Sequence, residues 1–546
     1  MNVSDRRRWL ALVAIAASVL VVGLDLTVLN LALPTLSAQL HASTSDLQWF
    51  SAAYSLVLAA ALLPAGLLGD RFGRKRLLLI ALVVFGASSA ACAFATSSGG
   101  LIVARAVLGL GAAVVLPMSI AILPVLFTAE ERPRAIAIVM GATFIGYPVG
   151  PLLGGWLLDN FWWGSVFLIN VPVVVLALIA VALLMPESHG ERGRPIDVIG
   201  IGLSSLGLAG MTFGFIKAGQ SGWSDAVTLM GVFGGAAAIV VFVAWERYVT
   251  QRSAAGTRRQ PLIELSLFRS ASFTWGTILT TMVSFALFGI LFAMPQYFQE
   301  VRDVNAFGSG LRLLPMIGGM VLGMLVSTRL QTAPKSPAGA PPAGPRVGVR
   351  ALVTVGFAVM AVALAVGATT STHSGTVFAA AWFAAAGLGL GFAMPAAMNA
   401  ALGALSAQRS GAGSALISAM RQVGATIGVA VLGTVLLSAY RSRLGLTGVP
   451  TAVSQAVRGS AAAGVQVARK LGSVPLLDSV RTAYVHGMDV MLWACGGIAL
   501  TSALLALAFL PRKGSPGLAD PAEASLPVAA AGPGEENRED ERHARR

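Results

Sequence analysis

Cysteine is almost absent from this chain: of 546 residues only Cys92 and Cys495 are cysteines, and both sit inside apolar runs. That excludes a disulfide framework and leaves no thiol-based metal spacing. Histidine is scarce too. The five histidines (His41, His189, His373, His486 and His543) fall in or beside expected loops or in the tail. The side chain that normally titrates near neutrality is therefore missing from the apolar stretches, and a buried proton carrier there must be a carboxylate. Charge is thin: 11% of residues are charged, against about 25% in a soluble domain. No Gly-x-x-x-x-Gly-Lys-Ser/Thr loop occurs, which argues against an ATP-driven pump. No polar stretch is long enough to house an enzyme's site, so the expectation is a non-enzyme with neither metal nor organic cofactor.

What is present is apolar: 56% of the residues are hydrophobic and the mean hydropathy is +0.77. The net charge of +14 falls between apolar runs, so it does not form the continuous basic stripe that nucleic acid requires. About 20 apolar residues are needed to cross a bilayer. By that measure spans lie near 9–31, 47–68, 77–95, 100–123, 134–157, 164–185, 197–217, 226–245, 271–293, 310–328, 351–369, 376–402, 411–437 and 487–510. The first run follows Arg6, Arg7 and Arg8 as a signal peptide would, but it continues through Asp25 to Pro34 with no polar region behind it. A retained first helix is the better reading.

Lys and Arg mark the cytoplasmic side of short loops. Alternate connections are basic, including Arg71, Arg74, Lys75 and Arg76, then Arg132 and Arg134, while 32–46, 96–99, 158–163 and 370–375 hold neither residue. The expectation is an even number of helices, fourteen, with both termini in the cytoplasm of a cell membrane. Abundant Ala, Gly, Val and Arg are compatible with a GC-rich bacterial source. Residues 1–8 read as a cytoplasmic start and 511–546 as a disordered cytoplasmic tail; 332–346 reads as a flexible linker. The stretch 438–486 is basic yet falls outside, and reads as a long extracellular loop. A hidden helix pair near 452–482 would preserve parity, but its polarity argues against one.

The chain also repeats itself. At a constant offset of 278 residues, Gly109-Leu110-Gly111 and Pro117 match Gly387-Leu388-Gly389 and Pro395, and Gly146, Gly150 and Gly155 match Gly424, Gly428 and Gly433. Two consecutive spans repeat with their loop, so the fold reads as two parallel six-helix halves, 9–185 and 271–510. An inserted pair of helices lies between them within 186–270. Parallel repeats with a substrate site at their interface are a transporter arrangement.

Between spans 2 and 3 stands Gly66-Leu67-Leu68-Gly69-Asp70-Arg71-Phe72-Gly73-Arg74-Lys75-Arg76, in which glycines permit a tight turn and close helix approach. The segment resembles the signature loop of the major facilitator superfamily. Asp25 to Pro34 is similar to the first-helix motif of that superfamily's fourteen-helix drug:H+ antiporter family. Gly146-Tyr147-Pro148-Val149-Gly150-Pro151-Leu152-Leu153-Gly154-Gly155 resembles its antiporter motif, and Phe167-Leu168-Ile169-Asn170-Val171-Pro172 its sixth-helix entry. The resemblance implies an all-α integral membrane protein with the major facilitator fold. It also implies a gating hairpin at Gly66, Gly69, Asp70, Arg71, Gly73, Arg74 and Lys75, and a helix at Gly146, Pro148, Gly150, Pro151, Gly154 and Gly155 that seals the halves in one access state.

A carboxylate at mid-helix costs on the order of 3 kcal/mol to insert, so Asp25 needs a reason to be there. Arg105 lies at a matching depth in span 4. The two form either a static ion pair or a coupling pair, in which Asp25 accepts the proton and Arg105 resets it. The family's usual Arg-x-x-Gln-Gly reads Arg105-Ala106-Val107-Leu108-Gly109 here, so its supporting amide is missing. Asn30, Gln296, Tyr297 and Arg421 are candidates for a substrate pocket. Arg421 is more simply explained by snorkelling, and an interfacial belt explains Gln296 and Tyr297 equally well. The resemblance implies a proton-driven exporter of antibiotics or drug-like molecules, working as a monomer in the lipid bilayer with protons and a small organic substrate as its partners. Proton-linked uptake of a solute and a non-transport sensor or scaffold remain the alternatives.

Overall fold

The computed structural model describes residues 3–128, 131–188, 197–254, 261–263, 265–331, 347–405, 410–446 and 451–511. The linker 332–346 and all of the tail beyond Pro511 lie outside the described residues. The helices are α1 (Val3–Gln39), α2 (Thr44–Phe72), α3 (Arg74–Ala93), α4 (Ser98–Ala121), α5 (Leu123–Leu126), α6 (Arg132–Asn160), α7 (Ser165–Leu168), α8 (Asn170–Leu184) and α9 (Val198–Ser221). They continue with α10 (Ala226–Ala254), α11 (Ala271–Gln296), α12 (Ala306–Gln331), α13 (Val349–Gly367), α14 (Thr376–Leu402), α15 (Ser410–Arg443), α16 (Thr451–Gly459), α17 (Ala461–Lys470) and α18 (Val474–Phe509). No strand occurs among the described residues.

Twelve helical segments are long and apolar enough to cross a membrane among the described residues. Two further long helices, α2 and α6, stand where spans 2 and 5 are expected, an arrangement compatible with fourteen spans. Leu176, Leu183, Met230, Val240 and Val377 are among the exposed apolar side chains. A belt of this kind on the outer faces suits hydrocarbon and would aggregate in water.

The duplicated glycines do the same packing work twice. A Cβ at Gly109 of α4 would press on the Tyr54 backbone of α2, and one at Gly387 of α14 on the Met316 backbone of α12. Gly146 and Gly150 of α6 lie against Gly23, Leu24 and Thr27 of α1, as Gly424 and Gly428 of α15 lie against Thr281 and Phe285 of α11. Small residues at these places let helix axes approach until backbones touch. The contacts give the equivalences α1 with α11, α2 with α12, α4 with α14 and α6 with α15, the last two pairs in register with the sequence offset of 278. α9 and α10 pack on each other through Gly207, Gly210, Gly214, Gly231 and Gly235. α9 docks at the α2 and α15 edge, where Thr434 Oγ1 donates to the Phe215 carbonyl at 2.7 Å.

Several boundaries differ from the sequence expectation. α1 runs on to Gln39, and α18 begins at Val474 rather than near 487. Helix persists beyond the apolar stretch because its end is capped, with Ser473 Oγ accepting from Leu476 N and Pro475 in the first turn. The sixth span is broken into α7 and α8 at Ile169, since Pro172 has no N–H to return to the preceding turn. The stretch 438–486 is mostly helical rather than an extended loop. It contains the end of α15, two helices of 9 and 10 residues (α16 and α17), and the first turns of α18. Neither short helix approaches the length a span requires.

Candidate functional site

Asp25 sits midway along α1 and Arg105 near the start of α4. Arg105 Nη1 donates to Asp25 Oδ2 at 2.5 Å, with each side chain only 2% exposed. Arg105 Nε donates to the Phe50 carbonyl of α2 at 3.0 Å, and the guanidinium lies 4.6 Å from the centre of the Tyr54 ring. These contacts take over the support for which the sequence offers no glutamine: a backbone oxygen and an aromatic face stand in for the missing amide. Removing one partner of such a pair costs about 3–5 kcal/mol, because the other charge stays buried and unpaired. Asn170, at the start of α8, donates from Nδ2 to Ser89 Oγ at 3.0 Å.

A small cavity adjoins the pair, lined by Asn30, Ser51, Ser55 and Arg105 from one half and by Phe288 and Val429 from the other. Asn30 Oδ1 accepts from Ser51 Oγ at 3.4 Å, and its Nδ2 donates to the Leu26 carbonyl at 3.2 Å. The cavity therefore joins the buried charges to the seam between halves. Of the other pocket candidates, Gln296 is buried and donates to the Phe292 carbonyl at 2.8 Å. Tyr297 donates to the Ser371 carbonyl at 3.0 Å and lines a separate peripheral cavity. Arg421 is half-buried on α15 and lines neither cavity.

The halves meet toward the end of the molecule opposite the termini, here termed the far end. Gly155 of α6 lies against Ala306 and Phe307 of α12, and Gly310 of α12 lies against Pro151. On the other side of the molecule Gly433 of α15 faces Gln48 of α2, whose Nε2 donates to the Ala430 carbonyl at 3.0 Å. Gln299 Nε2 donates to the Leu31 carbonyl at 2.9 Å. Gly146, Gly150 and Gly154 pack instead on α1 within their own half, and the side chain of Pro148 lies outside the described residues. Asp159, at the end of α6, accepts from Asn305 Nδ2 at 2.6 Å and from the Ala306 and Phe307 N–H groups, both at 3.1 Å. A carboxylate from one half thus caps a helix of the other. Above the seam, α16 and α17 are joined to both halves: Ser460 Oγ and Ser37 Oγ are 2.8 Å apart, Thr44 Oγ1 donates to the Gly459 carbonyl at 2.9 Å, and Tyr440 Oη donates to the Val457 carbonyl at 2.8 Å.

At the opposite end the glycine-rich hairpin is tied within its own half. Gly73 turns the chain at φ +101°, a conformation that favours glycine, and Gly69 leaves room for the Met118 thioether. Gly66 has open space where a Cβ would stand. Arg74 Nη1 donates to the Ala121 carbonyl at 2.8 Å and Lys75 Nζ to the Ala182 carbonyl at 2.7 Å. Glu187 caps α3 by accepting from the N–H groups of Lys75 and Arg76, at 3.0 and 3.2 Å. Arg71 stacks on Phe72 with 5.3 Å to the ring centre, and the Asp70 side chain lies outside the described residues. The sequence alone gives no reason to single out Asp159 or Glu187. Each stands in a short polar connection where a lone acid looks like ordinary loop composition, and only the helix start it caps, distant in sequence, gives it meaning.

A family model described as Major Facilitator Superfamily matches residues 15–207. The chain is 32% identical over 492 residues to the multidrug efflux pump LfrA of Mycolicibacterium smegmatis, covering 88% of this chain and 92% of that one. It is 36% identical over 317 residues to the tetracenomycin C resistance and export protein of Streptomyces glaucescens; that match spans 58% of this chain and only 57% of the relative's length. Among solved structures, an inward-facing, unoccupied bacterial homologue of the human lysosomal transporter Spinster has a TM-score of 0.62 at 16% identity, covering 94% of this chain and 99% of that one. At such identity the likeness concerns the fold alone. With near full-length similarity to one curated relative, two halves packed through repeated glycines and a family model on the first half, the chain belongs to the major facilitator superfamily.

Proposed function

We propose that the chain is a proton-coupled antiporter that exports antibiotic or drug-like molecules by alternating access between its two halves. The observation that carries this reading is the buried Asp25–Arg105 pair, which borders a cavity lined by both halves. Only a carboxylate can carry a proton there, and its pairing with Arg105 links protonation to geometry. Arg105 favours the charged form of Asp25, and a movement that separates the two withdraws that support and favours protonation. The names of the relatives, one an export and resistance protein and one a multidrug efflux pump, support drug export.

The end bearing the termini is the cytoplasmic one in this reading, because the basic connections lie there. The seam at the far end then closes the outside. Asn30, Ser51 and Ser55 offer neutral hydrogen-bonding groups beside apolar Phe288 and Val429. That lining suits neutral or anionic aromatic molecules better than dications, for which the cavity supplies no unpaired acid.

The test is transport in proteoliposomes, using a fluorescent substrate and an imposed pH gradient. Asp25→Asn abolishes gradient-driven accumulation while substrate exchange without a gradient persists. Gradient-driven accumulation by Asp25→Asn at the wild-type rate overturns the coupling assignment, and accumulation in the opposite direction overturns export.

A further inference from the structure

The peripheral far-end cavity adjoins the outer edge of the seam, next to Asn305, and plays no part in the transport reading. It is lined among others by Tyr297, Arg302, Arg312, Ser374 and Thr376. Three sources of positive potential converge on it. Arg302 comes directly after a single π turn (Tyr297–Val301), and its own N–H donates to the Tyr297 carbonyl at 3.1 Å. Such turns insert a residue into a helix and re-aim the side chains after it, and they are frequent at functional sites. Arg302 Nη1 is anchored to the Thr372 carbonyl at 2.6 Å, while Arg312 Nη1 is anchored to the Gly308 carbonyl at 3.1 Å. Both anchors are neutral, and among the described residues neither guanidinium belongs to an ion pair. Of the neighbouring acids, Asp303 adopts a left-handed φ of +54° and is held by Arg469 and Arg481, the same two arginines that face Glu300, while Asp489 lies on the Tyr297 side.

The third source is the start of α14. Its N-cap is Gly375, which offers no side-chain hydrogen bond to the first N–H groups of this 27-residue helix. An uncapped helix start carries about half a positive charge, and with two guanidiniums beside it an anion relieves mutual repulsion. Phe307, Leu311 and Val377 flank the same helix turns and are 37%, 44% and 84% exposed. A ligand here has an anionic group at one end and hydrocarbon alongside.

We propose that the cavity between the π turn, α12 and the start of α14 binds a phosphate group, Arg302 and Arg312 grasping its oxygens, and that the phosphate is carried by an anionic phospholipid of the far-end leaflet. The shared chemistry is phosphate; the apolar flank favours the lipid over the free ion. The site is independent of proton coupling and of the transported molecule.

Purified protein in detergent would be titrated with dioleoyl phosphatidylglycerol, dioleoyl phosphatidylcholine and inorganic phosphate, reading lipid adducts by native mass spectrometry and Tm in parallel. Phosphatidylglycerol is expected to form a 1:1 adduct and raise Tm on the order of 2 °C over phosphatidylcholine. Arg302→Gln with Arg312→Gln loses the adduct and the shift, and the double Lys variant retains them. Arg312→Gln alone, which forfeits only a bond to its own helix, weakens adduct formation about tenfold, as expected for one charge-assisted hydrogen bond, and serves if the double variant does not fold. A shift from inorganic phosphate that is lost in the Gln variants supports the phosphate site and assigns its source to the free ion. Equal adducts with both lipids, or phosphatidylglycerol adducts undiminished by Arg312→Gln, overturn the proposal.

Discussion

Asp159 at the end of α6 accepts a 2.6 Å hydrogen bond from Asn305 just before α12, and so ties the first half of the chain to the start of a helix in the second. It is a charge-to-helix-start contact across the seam, placed where the two halves must part if the far end opens. Asp159→Ala removes the cap, worth about 1 kcal/mol, from the closed arrangement alone. A shift of about fivefold toward the open arrangement is expected. It is read as faster labelling of a cysteine placed at Ala306, which is buried in this arrangement, by a membrane-impermeant maleimide, relative to the same cysteine with Asp159 intact.

Gly155 and Gly433 occupy equivalent places in the two halves, and each faces the other half: Gly155 against Phe307, Gly433 against Gln48. Leucine at either position forces backbone or a buried amide apart. Overpacking of this kind costs about 1–3 kcal/mol, here in the closed far end. Transport by Gly155→Leu should fall at least tenfold, with expression and Tm near wild type. Gly66→Ala, where there is open space, should transport normally.

Ser37 and Ser460 bring their hydroxyls to 2.8 Å, a separation that a disulfide between cysteines at the same positions can span. Oxidising the Ser37→Cys, Ser460→Cys variant should stop substrate flux, and reduction should restore it. Cys92 and Cys495 are both buried and do not compete. Undiminished flux with the bridge formed would show that α16 and α17 need not leave α1 during the cycle.

The Asp25–Arg105 pair predicts non-additive stability. Arg105→Gln leaves a buried carboxylate alone and should cost about 3–5 kcal/mol. The double variant Asp25→Asn, Arg105→Gln should be more stable than either single one, by Tm in detergent. If the three losses are additive, the charges do not depend on each other.

Glu187 holds the first N–H groups of α3 from a connection more than a hundred residues away. Glu187→Ala should lower stability by about 1 kcal/mol and speed tryptic cleavage at Arg74, Lys75 and Arg76, without altering cross-links at the far end.

The helices were legible in the sequence because a bilayer imposes a length and a polarity that few other environments demand. The repeat was legible because Gly109, Gly146 and Gly150 and their later copies are fixed by backbone approach, for which no other side chain is small enough. Asp25 and Arg105 were legible because ionised groups are rare in such stretches. The far-end cap was not: α16 and α17 are polar and short, and their stability comes from contacts with Ser37, Thr44 and Tyr440 that no local pattern encodes. The packing of Gly146 and Gly150 on α1, rather than at the seam, was equally invisible. A glycine stripe announces that a helix lies close, and it does not say which helix.

The pairing of Asp25 with Arg105 also has an electrical side. As long as both are ionised their charges cancel, and a rocking motion that carries them through the membrane field moves no net charge at that point. Once Asp25 takes up a proton, Arg105 is left as a single uncompensated positive charge. A full crossing of the field by one charge is worth about 2.3 kcal/mol per 100 mV, and a partial displacement is worth the corresponding fraction. In the proposed cycle the membrane voltage would therefore act through this pair only while Asp25 is protonated, so the same two residues that would sense the pH gradient would also decide when the protein responds to voltage.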